Sequence, residues 1–287
     1  MSAENILQPL QPQESGKTSN ADHIALWPEG APHALGNAPE DQPIMTQFPV
    51  KSDARLPAMI VLPGGGYEKK VEREGEPIAR WLNGLGIASF VLQYRVTPYR
   101  HPVPLQDAQR AIRLLRSEAG RLNLDPQRIG VLGFSAGGHL ASCAGTHFDM
   151  GRPDAEDPIE RMSSRPDLMV LCYPVISFNS HAHEGSKRRL LGDGADDSLV
   201  QHMSSELQVT SDTPPAFICH AADDRVVPAE NCLMMAAALA RYGVPYNLHI
   251  FESGSGRHGF GLGADHHQIR QWTDLCTVWL RLRGFIR

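Results

Sequence analysis

The sequence lacks any apolar run of the roughly 18 residues that a membrane-spanning helix needs. It also lacks a block of basic residues, since its 27 Lys and Arg residues are spread along the chain and are outnumbered by 32 Asp and Glu residues. The formal net charge is therefore -5. A weakly acidic chain with dispersed arginines is a poor partner for nucleic acid or anionic lipid. We expect neither nucleic acid nor membrane to be its main partner.

Signals for export and for disulfide bonds are missing as well. The first 20 residues contain neither the basic start nor the apolar stretch that are typical of a secretion signal. The five cysteines stand singly among apolar neighbours, and none belongs to a C-x-x-C pair. This pattern favours buried reduced thiols over a disulfide framework. These absences together predict a cytoplasmic protein.

What the sequence contains is an alternation of short apolar runs and longer amphipathic stretches. This alternation predicts an α/β fold, in which a mostly parallel sheet is covered by helices on both faces. We expect residues 1–20 to form a flexible tail and residues 21–287 to form one domain. Two polar stretches, about 145–166 and 175–213, interrupt the alternation. We interpret them as loop insertions that shape substrate selectivity.

Two further segments carry structural predictions. The Pro and Gly residues between about 25 and 45 predict an arm laid over the domain, for which Trp27 is a candidate anchor. The stretch PLQDAQRAIRLLRSEAGRLNL has apolar residues at helical spacing. Its arginines, Arg110, Arg113 and Arg116, fall on other faces of that helix. We interpret them as a solvated row without a catalytic role.

The stretch RIGVLGFSAGGHLASCA places Ser135 in a G-x-S-x-G motif between a predicted strand and a predicted helix. A nucleophilic serine of a hydrolase occupies this kind of sharp strand-to-helix turn. Gly133 and Gly137 are required there because the turn leaves no room for a Cβ atom. The helix N-terminus that follows favours developing negative charge. Ser135 is therefore the predicted nucleophile, and a small residue in a structural turn is the alternative.

A serine nucleophile needs a histidine base and a carboxylate that orients the base, in the chain order Ser, acid, His. The stretch FICHAADDRVVP places Asp223 and Asp224 directly after a predicted strand. We favour Asp224, because its spacing from His220 and from Val227-Pro228 matches a pattern found in hydrolases of this type, and we keep Asp223 as the alternative. His258 is the predicted base, since it lies in a glycine loop after the last predicted strand.

The transition state of acyl transfer also needs donors for the carbonyl oxygen. The loop LPGGGYE follows the first core strand, and the residue after the nucleophile is Ala136. We assign the backbone N–H groups of Gly65, Gly66 and Ala136 to the oxyanion hole. Tyr67 is a candidate for lining the acyl pocket. A phosphate-binding loop is excluded, because no Lys-Ser or Lys-Thr pair follows the glycines.

A metal site is the main alternative for the remaining histidines. His181, His183, His266 and His267 do not have the H-x-x-x-H spacing of a helical zinc site, and the nearby carboxylates are scattered. We therefore expect no metal and no other cofactor.

With these motifs the chain resembles α/β-hydrolases of the acetyl esterase and acetylxylan esterase group, which are also described as dienelactone-hydrolase-like or BD-FAE-like. The resemblance runs from about LWPEGAP to HGFGLG and rests on the segments PGGGY, EGEPIARWLNGLGIASFVLQYRV, HPVPLQDAQRAIRLLR, IGVLGFSAGGHLAS, SSRPDLMVLCYPVIS, HAADDRVVP and HGFG. Hormone-sensitive-lipase-like esterases usually carry His before the oxyanion glycines, where this chain has Pro63. The resemblance implies a serine esterase that removes short acyl groups, above all acetyl groups, from saccharides.

Two other functions are compatible with the same residues. An aryl formamidase or a small peptidase uses the same catalytic groups on a different bond. A non-catalytic binding protein can also have a hydrolase fold, although such proteins commonly lack one catalytic group and this chain has all three. The sequence leaves the oligomeric state open.

Overall fold

One eight-stranded sheet organises the computed structural model, which describes residues 22–252, 258–263 and 266–287. The strands follow in chain order as β1 (His23–Ala25), β2 (Ile44–Phe48), β3 (Leu56–Leu62), β4 (Ala88–Gln93), β5 (Leu124–Phe134), β6 (Met169–Cys172), β7 (Ala216–Ala221) and β8 (Tyr246–Phe251). Their order across the sheet is β1-β2-β4-β3-β5-β6-β7-β8. All pairs from β4 to β8 are parallel, and the two pairs that involve β2 are antiparallel. The predicted mostly parallel sheet is confirmed.

Seven α-helices are present in the described part of the chain. They are α1 (Glu76–Gly84), α2 (Val103–Ser117), α3 (Ala136–Thr146), α4 (Glu184–Leu191), α5 (Asp197–His202), α6 (Glu230–Arg241) and α7 (Gln271–Leu282). Apolar residues of α1 and α7 pack on one face of the sheet, and those of α2, α3 and α6 pack on the other. Because both faces are covered, the central strands are apolar throughout, as in β3, where all seven residues are buried.

The arm before the domain contributes two edge strands that the sequence did not predict. β1 and β2 extend the sheet beyond β4, with Thr46 opposite Val91 in the register. Trp27 anchors the arm as predicted, since its ring packs between the guanidinium groups of Arg95 and Arg110, each 5.5 Å from the ring centroid. The predicted tail, residues 1–20, lies outside the described residues.

The prediction of a solvated arginine row is wrong for Arg110 and Arg113, which are only 3% and 6% exposed. Arg110 pairs with Asp157 at 2.6 Å, and Arg113 pairs with Asp149 at 2.5 Å. Both carboxylates belong to the first insertion, so the arginines fasten this insertion to α2 and lose contact with solvent. The second insertion is more regular than predicted, because it contains α4 and α5.

The carboxyl ends of the parallel strands bring the predicted site residues to one edge of the sheet. The glycines Gly64 to Gly66 follow β3, Ser135 follows β5, Asp224 follows β7, and His258 lies beyond β8. Active sites of open α/β sheets form at this edge. All five cysteines are buried free thiols, as predicted. In the described ranges, no helix is both long enough and apolar enough to span a membrane.

Candidate active site

Ser135 stands on a strained turn between β5 and α3. Its backbone has φ 52° and ψ -119°, a conformation that non-glycine residues rarely adopt and that is typical of a functional site. A Cβ atom on Gly133 would lie 2.1 Å from the carbonyl oxygen of Gly137, and a Cβ atom on Gly137 would lie 2.1 Å from that of Leu62. The predicted reason for both glycines is confirmed, because no side chain fits at either position.

Ser135, His258 and Asp224 form a continuous hydrogen-bonded series. His258 Nδ1 lies 2.7 Å from Asp224 Oδ2, and His258 Nε2 lies 2.7 Å from Ser135 Oγ. A carboxylate can only accept, so Nδ1 carries the proton and donates it to Asp224. Nε2 is then the acceptor for the Ser135 hydroxyl. The imidazole is therefore held in the tautomer that a general base for Ser135 requires.

The surroundings of Asp224 fix the orientation of its carboxylate and keep it ionised. Its Oδ1 accepts hydrogen bonds from the backbone N–H groups of Val226 and Val227 at 2.8 and 3.0 Å. Burial raises the pKa of the Asp224 carboxyl, but hydrogen bonds from His220, His258 and Val226 outweigh burial and hold that pKa well below its usual range. The carboxylate stays ionised at neutral pH. This geometry supports Asp224 over the alternative Asp223.

His220 is a residue whose role the sequence did not predict. Its Nε2 donates to the carbonyl oxygen of Val227 at 2.9 Å and lies 3.4 Å from Asp224 Oδ2. Its Nδ1 lies 3.0 Å from the thiol sulfur of Cys232, which is positioned to donate to it. His220 is thus fixed on both sides and supplies a second N–H near the carboxylate that holds His258.

The loop after β3 has the shape and access expected of an oxyanion loop. Gly65 and Gly66 have φ values of 134° and 67°, and a Cβ atom on Gly65 would lie 2.2 Å from the carbonyl oxygen of Lys69. Both glycines are partly exposed, and their N–H groups have no hydrogen-bond partner within the described ranges. Ala136 is the first residue of α3, where N–H groups lack partners inside the helix. The N–H groups of Gly65 and Gly66 are therefore accessible to a ligand, whereas Ala136 is buried.

Tyr67 does not present its ring to a pocket in this structure. The side chain is fully buried, and its hydroxyl lies 2.8 Å from Nδ1 of His139. Nε2 of His139 in turn donates to the carbonyl oxygen of Met203 at 2.8 Å. Burial lowers the pKa of His139 to about 4, so the ring is neutral and accepts from Tyr67. Tyr67 ties the oxyanion loop to the second insertion, and direct contact with substrate stays a prediction.

Glu74 is the most informative residue that the sequence reasoning missed. Its carboxylate is 2% exposed and accepts from the backbone N–H of Gly64 at 2.8 Å and from the hydroxyl of Tyr173 at 2.9 Å. Tyr173 in turn accepts from the N–H of Gly261 at 3.0 Å, and its ring meets the His258 ring edge to face at 5.0 Å. Glu74 therefore connects the oxyanion loop with the loop that carries His258.

Burial raises the pKa of the Glu74 carboxyl, and the hydrogen bonds from Tyr173 and Gly64 oppose this shift only in part. The neighbouring Arg73 reinforces the connection, because its Nε donates to the carbonyl oxygen of Gly259 at 2.9 Å. The segment EREGEP carried no spacing signal that could have identified Glu74. Only the fold shows which two loops this carboxylate joins.

Two residues of the second insertion stand beside the oxyanion loop. A Cβ atom on Gly66 would lie 3.4 Å from a guanidinium nitrogen of Arg189 and 4.0 Å from Cε1 of His183. Arg189 is held by Glu68 at 2.7 Å. His183 Nδ1 accepts from the N–H of Ser186 at 3.2 Å, so the neutral ring carries its proton on Nε2. This insertion, predicted to shape substrate selectivity, therefore supplies polar donors near the oxyanion loop.

Metal ligation is not supported by the geometry. Among the residues that the structure describes, no group of three or more His, Cys, Asp or Glu side chains is arranged to hold a metal ion. The histidines His181, His183, His266 and His267 therefore form no ligand set there.

Known proteins resemble the chain in both sequence and structure. The BD-FAE family profile matches residues 46–239, which is more than half of the chain. The acetylxylan esterase of Xylanibacter ruminicola is 37% identical over 233 residues, which cover 78% of this chain and 45% of that protein. Endo-1,4-beta-xylanase B of Butyrivibrio fibrisolvens is 36% identical over 217 residues, which cover 74% of this chain and 34% of that protein. The chain thus spans less than half the length of these two relatives.

A solved structure matches over nearly the full length. The acetyl ester-xyloside bifunctional hydrolase from Caldicellulosiruptor lactoaceticus has 51% sequence identity and a TM-score of 0.90, and the match covers 95% of this chain and 100% of that one. These similarities confirm the resemblance predicted from the motifs. The chain belongs to the BD-FAE family and is an acetylxylan esterase-like α/β-hydrolase.

Proposed function

We propose that the protein is a serine carboxylesterase that hydrolyses short acyl esters, chiefly acetyl esters of xylo-oligosaccharides, through an acyl-enzyme. The observation that carries this proposal is the series of two 2.7 Å contacts from Ser135 through His258 to Asp224 on a strained turn. Relatives named as an acetylxylan esterase and an acetyl ester-xyloside hydrolase support the acetyl group and the sugar. The cytoplasmic location and the lack of a cofactor stay predictions.

In the first half of the reaction, Ser135 Oγ attacks the ester carbonyl carbon while its proton moves to His258 Nε2. The N–H groups of Gly65, Gly66 and Ala136 stabilise the negative oxygen that forms. Asp224 stabilises the imidazolium through Nδ1. The imidazolium then gives its Nε2 proton to the leaving sugar hydroxyl, and an acetyl group remains on Ser135.

In the second half, water takes the place of the sugar. His258 Nε2 accepts a proton from this water, which attacks the acetyl carbonyl carbon, and the same three N–H groups hold the oxyanion. Collapse of this intermediate returns the proton to Ser135 Oγ and releases acetate. His258 Nε2 takes the proton from each attacking group and gives it to the leaving group, so the proposed reaction requires no cofactor.

A substrate panel tests the function. We expect acetate release from acetylated xylo-oligosaccharides and from p-nitrophenyl acetate, with falling kcat/KM for butyryl and feruloyl esters. Acetate release is measured by coupled assay and product formation by mass spectrometry. Preference for an aryl formamide or a peptide bond over every acetyl ester would assign the same residues to the alternative reactions instead.

We also predict that Glu74 is a positioning residue. Glu74→Ala leaves the Gly64 N–H and the Tyr173 hydroxyl without their acceptor, so both catalytic loops can shift, and a shift of about 1 Å can cost about 100-fold in kcat. Glu74→Gln keeps the volume and one acceptor, and we expect a loss of about tenfold with KM within twofold. Equal kcat values for wild type and both variants on p-nitrophenyl acetate would exclude the role.

The pH dependence provides a second readout for Glu74. Its pKa is raised, so the carboxylate becomes protonated and neutral at a higher pH than an ordinary glutamate as the solution is acidified. Wild-type kcat/KM should therefore fall as Glu74 becomes protonated, and Glu74→Gln, which cannot take up this proton, should lack that step. The charged and titratable groups that face this carboxylate are Arg73, Tyr94, Cys172, Tyr173 and His258.

A further inference from the structure

A cavity on the side of α1 lies next to the segments that carry the catalytic groups. Its volume is about 760 Å³, which is within the range of small-molecule sites. Its floor is the face of β2 and β4 that carries Phe48 and Gln93, and its wall is the segment 70–75, which we call the strap. None of the catalytic groups assigned above lines this cavity, so the proposed reaction leaves it unexplained.

Two short connections place the cavity wall next to the catalytic residues. Pro63 lines it, and the next residue, Gly64, lies so close to Ser135 that a Cβ atom on Gly64 would stand 3.0 Å from the Ser135 Cβ. Arg73 also lines it and donates to the carbonyl oxygen of Gly259, which directly follows His258. A ligand chain that extends from an ester group at Ser135 therefore has this cavity as a neighbour.

The lining has the chemistry of a neutral polyhydroxylated ligand. The floor offers the ring of Phe48 and the amide of Gln93. The rim carries cations on Lys70, Arg73 and Arg80, and carboxylates on Glu72 and Glu76. The carboxylates disfavour a polyanion and the cations disfavour a polycation, so the mixed lining favours a neutral ligand. Sugar rings combine apolar C–H faces with hydroxyl donors and acceptors, and match both floor and rim.

Two rim groups have partners within the protein, of which Lys70 is partly buried and the Arg80–Glu76 pair is exposed. The Nζ of Lys70 donates to the carbonyl oxygen of Tyr94 at 3.1 Å, which is one of its three donor positions. Arg80 donates to Glu76 at 2.7 Å and lies 5.8 Å from the Phe48 ring centroid. Side chains that are held before binding lose less conformational freedom when a ligand arrives.

From this placement we infer that the cavity is a subsite for the unacetylated xylose residues that flank the acetylated residue at Ser135. The inference rests on the proposed function, since it assigns part of the same substrate. The subsite gives the enzyme a preference for oligosaccharides over small acetyl esters. Its contribution is to binding, because Lys70 and Gln93 do not touch the reacting atoms.

Kinetics on substrates of two lengths test the subsite. We expect Lys70→Met and Gln93→Leu each to raise KM for acetylated xylotetraose about fivefold, the effect of one lost hydrogen bond, with unchanged kcat. For p-nitrophenyl acetate, kcat/KM should stay within twofold. Lys187→Met is the matched control, since Lys187 lines a separate cavity beside α4, and it should leave both substrates unaffected. Melting temperatures establish that the variants are folded.

A binding titration separates failure of the subsite from failure of the proposed function. Calorimetry uses wild-type protein and unacetylated xylotetraose, which has no ester for Ser135 to cleave, and we expect binding that Lys70→Met weakens about fivefold. Absence of binding, or equal binding with Lys70→Met, overturns the subsite. The subsite is also overturned if Lys70→Met and Gln93→Leu raise KM equally for acetylated xylotetraose and for p-nitrophenyl acetate. A wild-type enzyme that cleaves p-nitrophenyl acetate but no acetylated sugar overturns the proposed substrate, and the titration still decides the subsite.

Discussion

Ser135→Ala should lower kcat for p-nitrophenyl acetate by at least about 10,000-fold, because no other hydroxyl is hydrogen-bonded to His258 Nε2 in the described part of the chain. Alanine keeps the Cβ atom and adds no volume, so the strained turn and the glycine contacts around it remain. The loss is therefore chemical, and the melting temperature should change little. Steady-state kinetics together with thermal unfolding measure both effects.

A fluorophosphonate probe gives the same test without turnover. Wild-type protein should gain the mass of one probe less HF, since serine displaces fluoride, on the peptide that contains GFSAGG, and Ser135→Ala should gain none. Ser142→Ala is the control, since Ser142 is another buried serine of α3 whose hydroxyl donates to the carbonyl oxygen of His139. The proposed nucleophile is wrong if the probe labels Ser135→Ala or if the tag maps to another peptide.

Asp224→Asn should lower kcat by about 10,000-fold while leaving the backbone of the site in place. The backbone N–H groups of Val226 and Val227 require an oxygen at the Oδ1 position. The amide NH₂ of asparagine is therefore forced toward His258 Nδ1, which must then accept. The ring proton moves to Nε2, where it faces Ser135 Oγ and blocks proton transfer. The N–H group at His220 Nε2 lies beside the same NH₂ group, and two donors cannot form a hydrogen bond with each other.

The neighbouring carboxylate provides the matched control for this prediction. Asp223→Asn makes the same chemical change one residue earlier, and we expect kcat within a few-fold of wild type. The assignment of the orienting acid would be reversed if Asp223→Asn were inactive and Asp224→Asn active. Because the pKa of Asp224 is held low, protonation of this residue should not contribute to the loss of wild-type activity on the acid side of the pH profile.

The sequence predicted the residues of the candidate site that follow strand ends. Ser135, Asp224 and His258 each come after a strand of the parallel sheet, and the fold brings such positions to one edge by construction. The sequence pattern alone selects these three residues, without the 2.7 Å distances that the structure shows between them. The same rule predicted the loop of Gly65 and Gly66 after β3.

The parts that escaped prediction depend on partners far away in the chain. Glu74 meets Tyr173, 99 residues later, and no local pattern indicates such a pair. Arg110 has the spacing of a solvated position, but Asp157, 47 residues later, covers it. The hydrogen bond from Tyr67 to His139, 72 residues later, also has no local signal, and contact of Tyr67 with substrate stays a prediction. Side-chain direction at these sites is decided by tertiary contacts.

The two sides of the strap, residues 70–75, have different roles. Glu74 points toward the catalytic loops, whereas Lys70 and Glu72 border the neighbouring cavity. Substitutions on the cavity side can therefore accumulate without disturbing the groups that move protons. Under the proposed function, a short stretch of chain would allow the accepted saccharides to change while the rate of ester cleavage is preserved.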